Sequence, residues 1–208
     1  MSAPPPRLIL ASASPRRVQL LDQLQLNFEQ VASPVAEIAV DAAAPQAGAV
    51  KTAAAKAAAV HQLLLQRTPE TPLMVLGADT IVCLEGAVLG KPRDPADAEA
   101  TLHSLSGRRH QVHTGLSLIL PTGPALSACA TTQVYMRPLS TAAITAYVDS
   151  GEPMDKAGSY GIQGLAAPFV DRIEGCYYNV VGLPLALLCS LLEEAGYPPA
   201  LFRRGDRR

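Results

Sequence analysis

The chain has 208 residues, of which 49% are hydrophobic and 17% charged, and these proportions predict one globular domain with a sizeable core. A formal net charge of −1 lacks the basic excess that non-specific nucleic-acid binding needs. The apolar run near the start is too short for a signal peptide or a membrane span, and the four cysteines lack C-x-x-C spacing, so we expect a cytoplasmic protein without a zinc site or a disulfide framework.

Strands and helices are predicted to alternate along the first half of the chain. Proline favours the first position of a helix, and alanine-rich stretches favour its interior. In chain order we expect a strand at Leu8–Ala11, a helix from Pro15 to about Leu24, a strand at Phe28–Ala32, a helix at Val50–Gln66, and strand segments at Leu73–Leu76 and Thr80–Leu84.

The second half predicts a hairpin between two helices and a further helix near the end. Asp94 and Pro95 begin the first of these helices, which ends at Gly107. The others are a hairpin of Val112–Leu120 with Ala125–Tyr135, a helix from Ser140 or Thr141 to Gly151, and a helix at Pro184–Ala195. This interleaving predicts an α/β or α+β fold with a mixed sheet.

Residues 12–17, Ser-Ala-Ser-Pro-Arg-Arg, lie between a predicted strand and a predicted helix. A helix start offers unpaired N–H groups, and the hydroxyl and guanidinium groups add donors that suit phosphate oxygens. The alternative is a serine-capped helix with arginines facing solvent.

Asp79 and Thr80 follow an apolar run, at the expected end of a strand. A carboxylate there can hold a divalent ion or accept a proton from an attacking water. The alternative is that both side chains only hydrogen-bond their own turn.

Two glycine-containing segments add candidate residues. In Gly90-Lys91-Pro92-Arg93 a single lysine can reach a phosphate, although the segment lacks the residues of a Walker loop. In the glycine-rich segment 151–164, Lys156 suits a phosphate and the amide of Gln163 can read a base edge. Ordinary solvent-facing charges are the alternative for both.

Six segments, taken in order, resemble the Maf family of nucleotide pyrophosphatases: LILASASPRR, VLGADTIV, LGKPRDPADA, LSGRRHQVHTG, YVDSGEPMDKAGSYGIQG and NVVGLPL. The resemblance runs from about Leu8 to Gly196. It implies an elongated α/β fold, with a mixed central sheet flanked by helices and two lobes around a cleft, similar to ITPases. We therefore expect a flexible tail at 1–7, one domain at 8–197, and a basic, solvated tail at 198–208.

The resemblance also implies the activity and the site. Maf-like proteins hydrolyse a nucleoside triphosphate to the monophosphate and pyrophosphate with a divalent cation, Mg²⁺ or Mn²⁺, and are often homodimers. Asp79 matches the catalytic proton acceptor and a metal ligand, and Glu37 matches a second acid on the metal side. Positions linked to substrate choice are Arg16, Thr80 and Gln163, and further polar positions of the cleft are Ser14, Arg17, Lys56, Lys91 and Lys156.

The segment DKAGSYGIQG resembles the members that act on dTTP and UTP, so we expect pyrimidine triphosphates, including modified ones, as substrates. Members that prefer 7-methyl-GTP usually carry cysteine in place of Lys156. One departure is Ser33-Pro34-Val35-Ala36-Glu37, where many relatives read Ser-Asp-Val-Asp-Glu, so two neighbouring carboxylates are absent. The alternatives are a house-cleaning pyrophosphatase for 7-methyl-GTP or ITP, and a non-enzymatic nucleotide-binding regulator of cell division.

Overall fold

Seven strands form one mixed sheet in the computed structural model, which describes residues 5–36, 41–67 and 72–204. The strands are β1 (Arg7–Ala11), β2 (Glu29–Gln30), β3 (Leu73–Leu84), β4 (Ala87–Leu89), β5 (Arg109–Ile119), β6 (Leu126–Met136) and β7 (Val170–Glu174). Their order is β2-β1-β3-β5-β6-β7, and β4 pairs with β3. β1 runs parallel to β2 and β3, and the other pairs are antiparallel, which confirms the predicted mixed α/β sheet.

The helices are α1 (Pro15–Gln23), α2 (Pro45–Leu65), α3 (Pro95–Leu105), α4 (Thr141–Asp149), α5 (Tyr177–Val181) and α6 (Leu185–Glu194). All the helices except α5 begin where the sequence offers a proline or a capping side chain. The side chain of Asp94 accepts a hydrogen bond from the N–H of Asp97, and that of Ser140 accepts one from Ala143, as expected of N-caps. Within the described ranges, no helix is long and apolar enough to cross a membrane.

Alternating side chains of the strands supply the two faces of the sheet. In β1, Leu8 and Leu10 join a core shared with α1, α3, α4 and α6, whereas Ile9 and Ala11 pack against α2. This is the period-two alternation of a strand that is buried on both faces. Helices therefore cover both sides of the sheet.

β3 is one continuous strand through Asp79, so the prediction of two segments broken near Gly77, with Asp79 at a strand end, is wrong. The glycine serves close packing and makes no turn. A Cβ at Gly77 would lie 2.0 Å from the carbonyl oxygen of Ala53 in α2. Similarly, a Cβ at Gly115 in β5 would lie 2.4 Å from the carbonyl carbon of Ala49. The backbone of α2 thus lies directly on the sheet.

Both predicted tails contain packed residues. Arg7 belongs to β1 and hydrogen-bonds Glu29 in β2. At the other end, a helical turn at Pro199–Phe202 buries Phe202, and the backbone N–H of Arg204 donates to the carbonyl of Gln25 at 2.8 Å. The described part of the basic C-terminal segment, 198–204, therefore packs beside α1, contrary to the expectation of a solvated tail.

Candidate active site

The edge of β3 that faces β1 has a gap in its strand pairing. β1 ends where Ala11 pairs with Gly77, and β4 begins to pair only at Val82. Among the described strands, none pairs with 78–81 on this edge. Successive side chains of a strand point to opposite faces, so Asp79 and Thr80 reach the same opening from opposite faces of the sheet.

A cavity of about 520 Å³ lies at this gap. Its volume falls within the range of roughly 300–1,000 Å³ that is typical of small-molecule sites. The structure brings nine of the predicted residues together in its lining: Ser14, Arg16, Arg17, Lys56, Asp79, Thr80, Lys91, Lys156 and Gln163. The tenth, Glu37, lies outside the described residues.

Lys56 in α2 and Asp79 in β3 form an ion pair inside this cavity. The Lys56 ammonium donates to Oδ1 of Asp79 at 2.5 Å, and each side chain is only 16% exposed. The close approach of α2 to Gly77 brings the lysine within reach of the strand. One oxygen of the predicted catalytic carboxylate is therefore held by a cation.

Arg17 is buried behind the loop that joins β1 to α1. Its guanidinium donates to the carbonyl of Gly182 at 2.8 Å, to Oγ of Ser12 at 3.1 Å and to Oγ1 of Thr80 at 3.0 Å. Burial lowers the pKa of Arg17 to about 10, against the opposing effect of Asp79, so the group stays charged at neutral pH. Arg17 thus supplies positive charge from a fixed position.

Ser12, rather than Ser14, makes the hydrogen bonds at this turn. The Ser12 hydroxyl accepts from Arg17 and from the N–H of Ser14, whereas Ser14 is the N-cap of α1 without a side-chain capping bond. The sequence indicated both serine hydroxyls as phosphate donors, but only Ser14 was named among the residues of the cleft. The position of Ser12 directly after a buried strand was the available signal.

A chain of hydroxyl groups fixes Thr80. Thr114 in β5 donates to the backbone carbonyl of Asn179 at 2.9 Å, so the 3.0 Å contact between Thr80 and Thr114 is a bond donated by Thr80. Thr80 also accepts from Arg17. The side chain of Asn179 in turn donates to the carbonyl of Val112 and to Oγ1 of Thr132. The sequence did not reveal this network, which locks the Thr80 rotamer and its proton.

Asp155 connects two cations across the cavity. Arg16 in α1 donates to Oδ2 of Asp155 at 3.2 Å, and the Lys156 ammonium donates to Oδ1 at 2.7 Å. Burial raises the pKa of Asp155, but hydrogen bonds and charge from Lys156 and Arg16 outweigh it, so the pKa lies below its ordinary value. This carboxylate was not predicted as a site residue.

The rest of the cavity wall is mainly apolar, and Gln163 is one of its lining residues. Tyr160 also lines the cavity, and its hydroxyl is held 2.7 Å from Nε2 of buried His110. Apolar surface with a few polar groups suits an uncharged heterocycle, whereas the cations suit linked phosphates. The apolar lining residues include Val82, Val88, Leu89, Val112 and Ile162.

The chain is similar to known proteins over most of its length. A family model described as Maf-like protein matches residues 7–195. A curated dTTP/UTP pyrophosphatase from Symbiobacterium thermophilum is 50% identical over 192 residues, which cover 92% of this chain and 95% of that protein. Curated proteins of the same name from Carboxydothermus hydrogenoformans and Methylobacillus flagellatus are 44% and 43% identical, over 92% and 91% of this chain and 100% and 93% of their own lengths. The chain belongs to the Maf family.

Proposed function

We propose that the protein is a nucleoside triphosphate pyrophosphatase that hydrolyses dTTP and UTP to the monophosphate and pyrophosphate. The observation that carries the proposal is the position of Asp79 in a cavity lined by five cationic side chains, those of Arg16, Arg17, Lys56, Lys91 and Lys156. The names of the similar curated proteins support the pyrimidine substrates. A site of cations and a carboxylate fits phosphoryl-type transfer, which depends mainly on positioning and charge stabilisation.

Asp79 is the proposed general base. Lys56 holds Oδ1 of Asp79, and we assign the second oxygen, Oδ2, to the attacking water. The water oxygen bonds to the α-phosphorus while the bond from that phosphorus to the bridging oxygen breaks, and the water proton passes to Asp79. The leaving pyrophosphate gains negative charge, which the arginines and lysines of the cavity stabilise.

A divalent cation, Mg²⁺ or Mn²⁺, is part of the proposal. Within the part of the chain that the structure describes, no three His, Cys, Asp or Glu side chains form a group that could hold a metal. Asp79 therefore fits an ion that takes most of its ligands from the substrate and from water, as Mg²⁺ commonly does. We assign Asp79 and Glu37 to the metal, which would supply charge neutralisation to the triphosphate when bound.

Substrate choice is assigned to Gln163, Thr80 and Arg16. The Gln163 amide offers one acceptor and two donor hydrogens, which can pair with the edge of a pyrimidine. Thr80 already directs its proton to Thr114, so towards the substrate it can only accept. The guanidinium of Arg16 lines the cavity and is held by Asp155.

A nucleotide panel tests the proposal. The purified protein is incubated with dTTP, UTP, CTP, ITP and 7-methyl-GTP, with Mg²⁺, with Mn²⁺ or with a chelator, and pyrophosphate release is measured. We expect dTTP and UTP to be hydrolysed fastest and only with metal. Preference for 7-methyl-GTP or ITP would overturn the substrate assignment, and binding without any pyrophosphate release would favour the regulator.

A cytoplasmic location and a homodimer complete the proposal. All four cysteines are free thiols, as is usual in a reducing compartment. The homodimer rests on the family resemblance alone. Sedimentation equilibrium of the purified protein, compared with the monomer mass of 21.8 kDa, tests it.

A further inference from the structure

We propose that Glu152, acting with Tyr147, is a positioning residue that holds Gln163 and Lys156 in place for the substrate. Neither Glu152 nor Tyr147 lines the cavity. Tyr147 instead binds the backbone of the glycine-rich segment 151–164 from α4, and Glu152, near the start of that segment, binds the backbone just after its end. The inference rests on the proposed function, because it assigns the role of this pair through two residues of that site.

Two hydrogen bonds hold the backbone on either side of Gln163. The N–H of Gly161 donates to the hydroxyl of Tyr147 at 3.3 Å, and the N–H of Leu165 donates to Oε2 of Glu152 at 3.1 Å. The Tyr147 hydroxyl donates to Oε1 of Glu152 at 3.1 Å, which joins the two anchors into one unit. Gln163 lies midway between the anchored amides, so its backbone position depends on both.

The glycines of this segment permit the close approach of the carboxylate. Gly164 has a φ of +83°, and a Cβ there would lie 2.8 Å from Oε2 of Glu152. A larger residue would both strain the backbone and push the carboxylate away. The glycine at 164 and the acid at 152 therefore form one structural unit.

Glu152 also contacts Lys156, through its backbone. The Lys156 ammonium donates to the carbonyl oxygen of Glu152 as well as to Asp155. A Cβ at Gly161 would lie 2.8 Å from Cε of Lys156, so this glycine leaves room for the lysine side chain. One short segment thus positions both the proposed phosphate-binding lysine and the proposed base-reading amide.

The two hydrogen-bond donors that face the side chain of residue 152 require a carboxylate there. Burial and the charge of Glu152 raise the pKa of Tyr147, so the phenol keeps its proton and remains a donor. Glu152 then faces two donors, the Tyr147 hydroxyl and the Leu165 N–H. Glutamine has the same shape, but its NH₂ group would face one of these donors.

The experiment compares Glu152→Gln and Tyr147→Phe with a control, Glu99→Gln. Glu99 lies in α3 and accepts a hydrogen bond from Thr145 of α4 at 2.9 Å, so this bond joins α3 to α4 and not to the backbone around Gln163. Hydrogen exchange of the full-length protein is measured without nucleotide. We expect amide exchange in 156–165 to accelerate about tenfold in both test variants and to stay unchanged in the control.

Kinetics then separate positioning from a merely structural role. With the triphosphate that the wild type hydrolyses best, we expect Glu152→Gln to raise KM about tenfold with little change in kcat, and to reduce discrimination against CTP. In a double-mutant cycle, Gln163→Ala should reduce kcat/KM less in the Glu152→Gln background than in the wild type, because Glu152 acts through Gln163.

Unchanged exchange in 156–165 would overturn the anchor itself. A second result would also overturn the proposal: faster amide exchange in 156–165, combined with fully additive effects of the two substitutions and unchanged discrimination against CTP. That result would show that Glu152 has a structural role only. Tyr147→Phe removes one hydroxyl and provides a milder variant should Glu152→Gln fold poorly. The exchange readout needs no substrate, so an error in the proposed activity remains distinguishable from an error in the anchor.

Discussion

The ammonium of Lys56 lies 2.5 Å from Oδ1 of Asp79, and the two residues are 23 positions apart in the sequence. This ion pair connects the middle of α2 with the stretch of β3 that pairs with β5 but has no strand partner on the edge that faces β1. Lys56 holds one oxygen of the Asp79 carboxylate, and Asp79 also lines the cavity. The catalytic assignment therefore makes a direct prediction for this residue.

Asp79→Asn should lose about a hundred- to ten-thousand-fold in kcat, the usual range for general-base help. The asparagine carbonyl can still accept from Lys56, so we expect the variant to fold. Pyrophosphate release under saturating substrate measures the effect. Asp97→Asn, which removes an exposed pair with Arg93, is the control and should leave turnover unchanged. Near-normal release by Asp79→Asn would remove Asp79 from the base role.

Asp155→Asn should lower KM for the triphosphate about two- to fivefold. A bound triphosphate competes with Asp155 for Arg16 and Lys156, and removing the carboxylate charge makes both cations more available. The effect is modest because Asp155 is 61% exposed and such pairs are worth about 1 kcal/mol or less. Initial rates at several salt concentrations measure KM, and the gain should shrink as salt rises. A higher KM in the variant would show that Asp155 mainly organises the cations.

Gly77→Ala should destabilise the protein by about 3 kcal/mol, at the upper end of overpacking costs, and should also reduce turnover. The new methyl group would lie 2.0 Å from the carbonyl oxygen of Ala53, so α2 must move and take Lys56 with it. Urea unfolding and pyrophosphate release check the two effects. Gly90→Ala is the control for stability, because a Cβ there has no atom within 4 Å. Equal stability of the two variants would contradict the prediction.

His110 should make the fold sensitive to mild acid. Burial lowers the pKa of His110 to about 4 from an ordinary 6.5, so the unfolded chain takes up a proton that the folded protein refuses. The free energy of unfolding is therefore unaffected by His110 above pH 6.5 and falls as the pH drops towards 4, by about 3 kcal/mol in total. The free energy of unfolding, measured with urea between pH 7.5 and 5, should fall less steeply with decreasing pH for His110→Gln than for the wild type. Identical slopes for the two proteins would rule out His110 as the cause of the sensitivity to acid.

The sequence predicted the fold class and most helix positions because caps, prolines and apolar periodicity are local signals. It failed at Gly77, where a glycine inside a strand has the appearance of a break. That glycine is explained by the close packing of Ala53 of α2 on the face of the sheet. Helix–sheet distance is a tertiary property, and no local pattern states it.

The site was predicted largely through the family resemblance, and nine of its ten predicted residues line the cavity. The supporting residues were missed because their partners are distant in the chain. Thr114 meets the carbonyl of Asn179 at a separation of 65 residues, and Arg16 meets Asp155 at 139. Single polar residues in apolar strands give only a weak sign of such networks. Glu37, in contrast, stays a prediction.

The backbone contact of α2 with the sheet has a practical consequence for engineering heat resistance. Ala49, Ala53 and Ala57 are fully buried, and together with Gly77 they leave no side chain that could adjust if the helix were shifted. Larger residues on this inner row would move the lysine away from its carboxylate while filling no void. Stabilising substitutions in this helix therefore belong on its outward side, at exposed positions such as Ala47, Lys51 and Ala58.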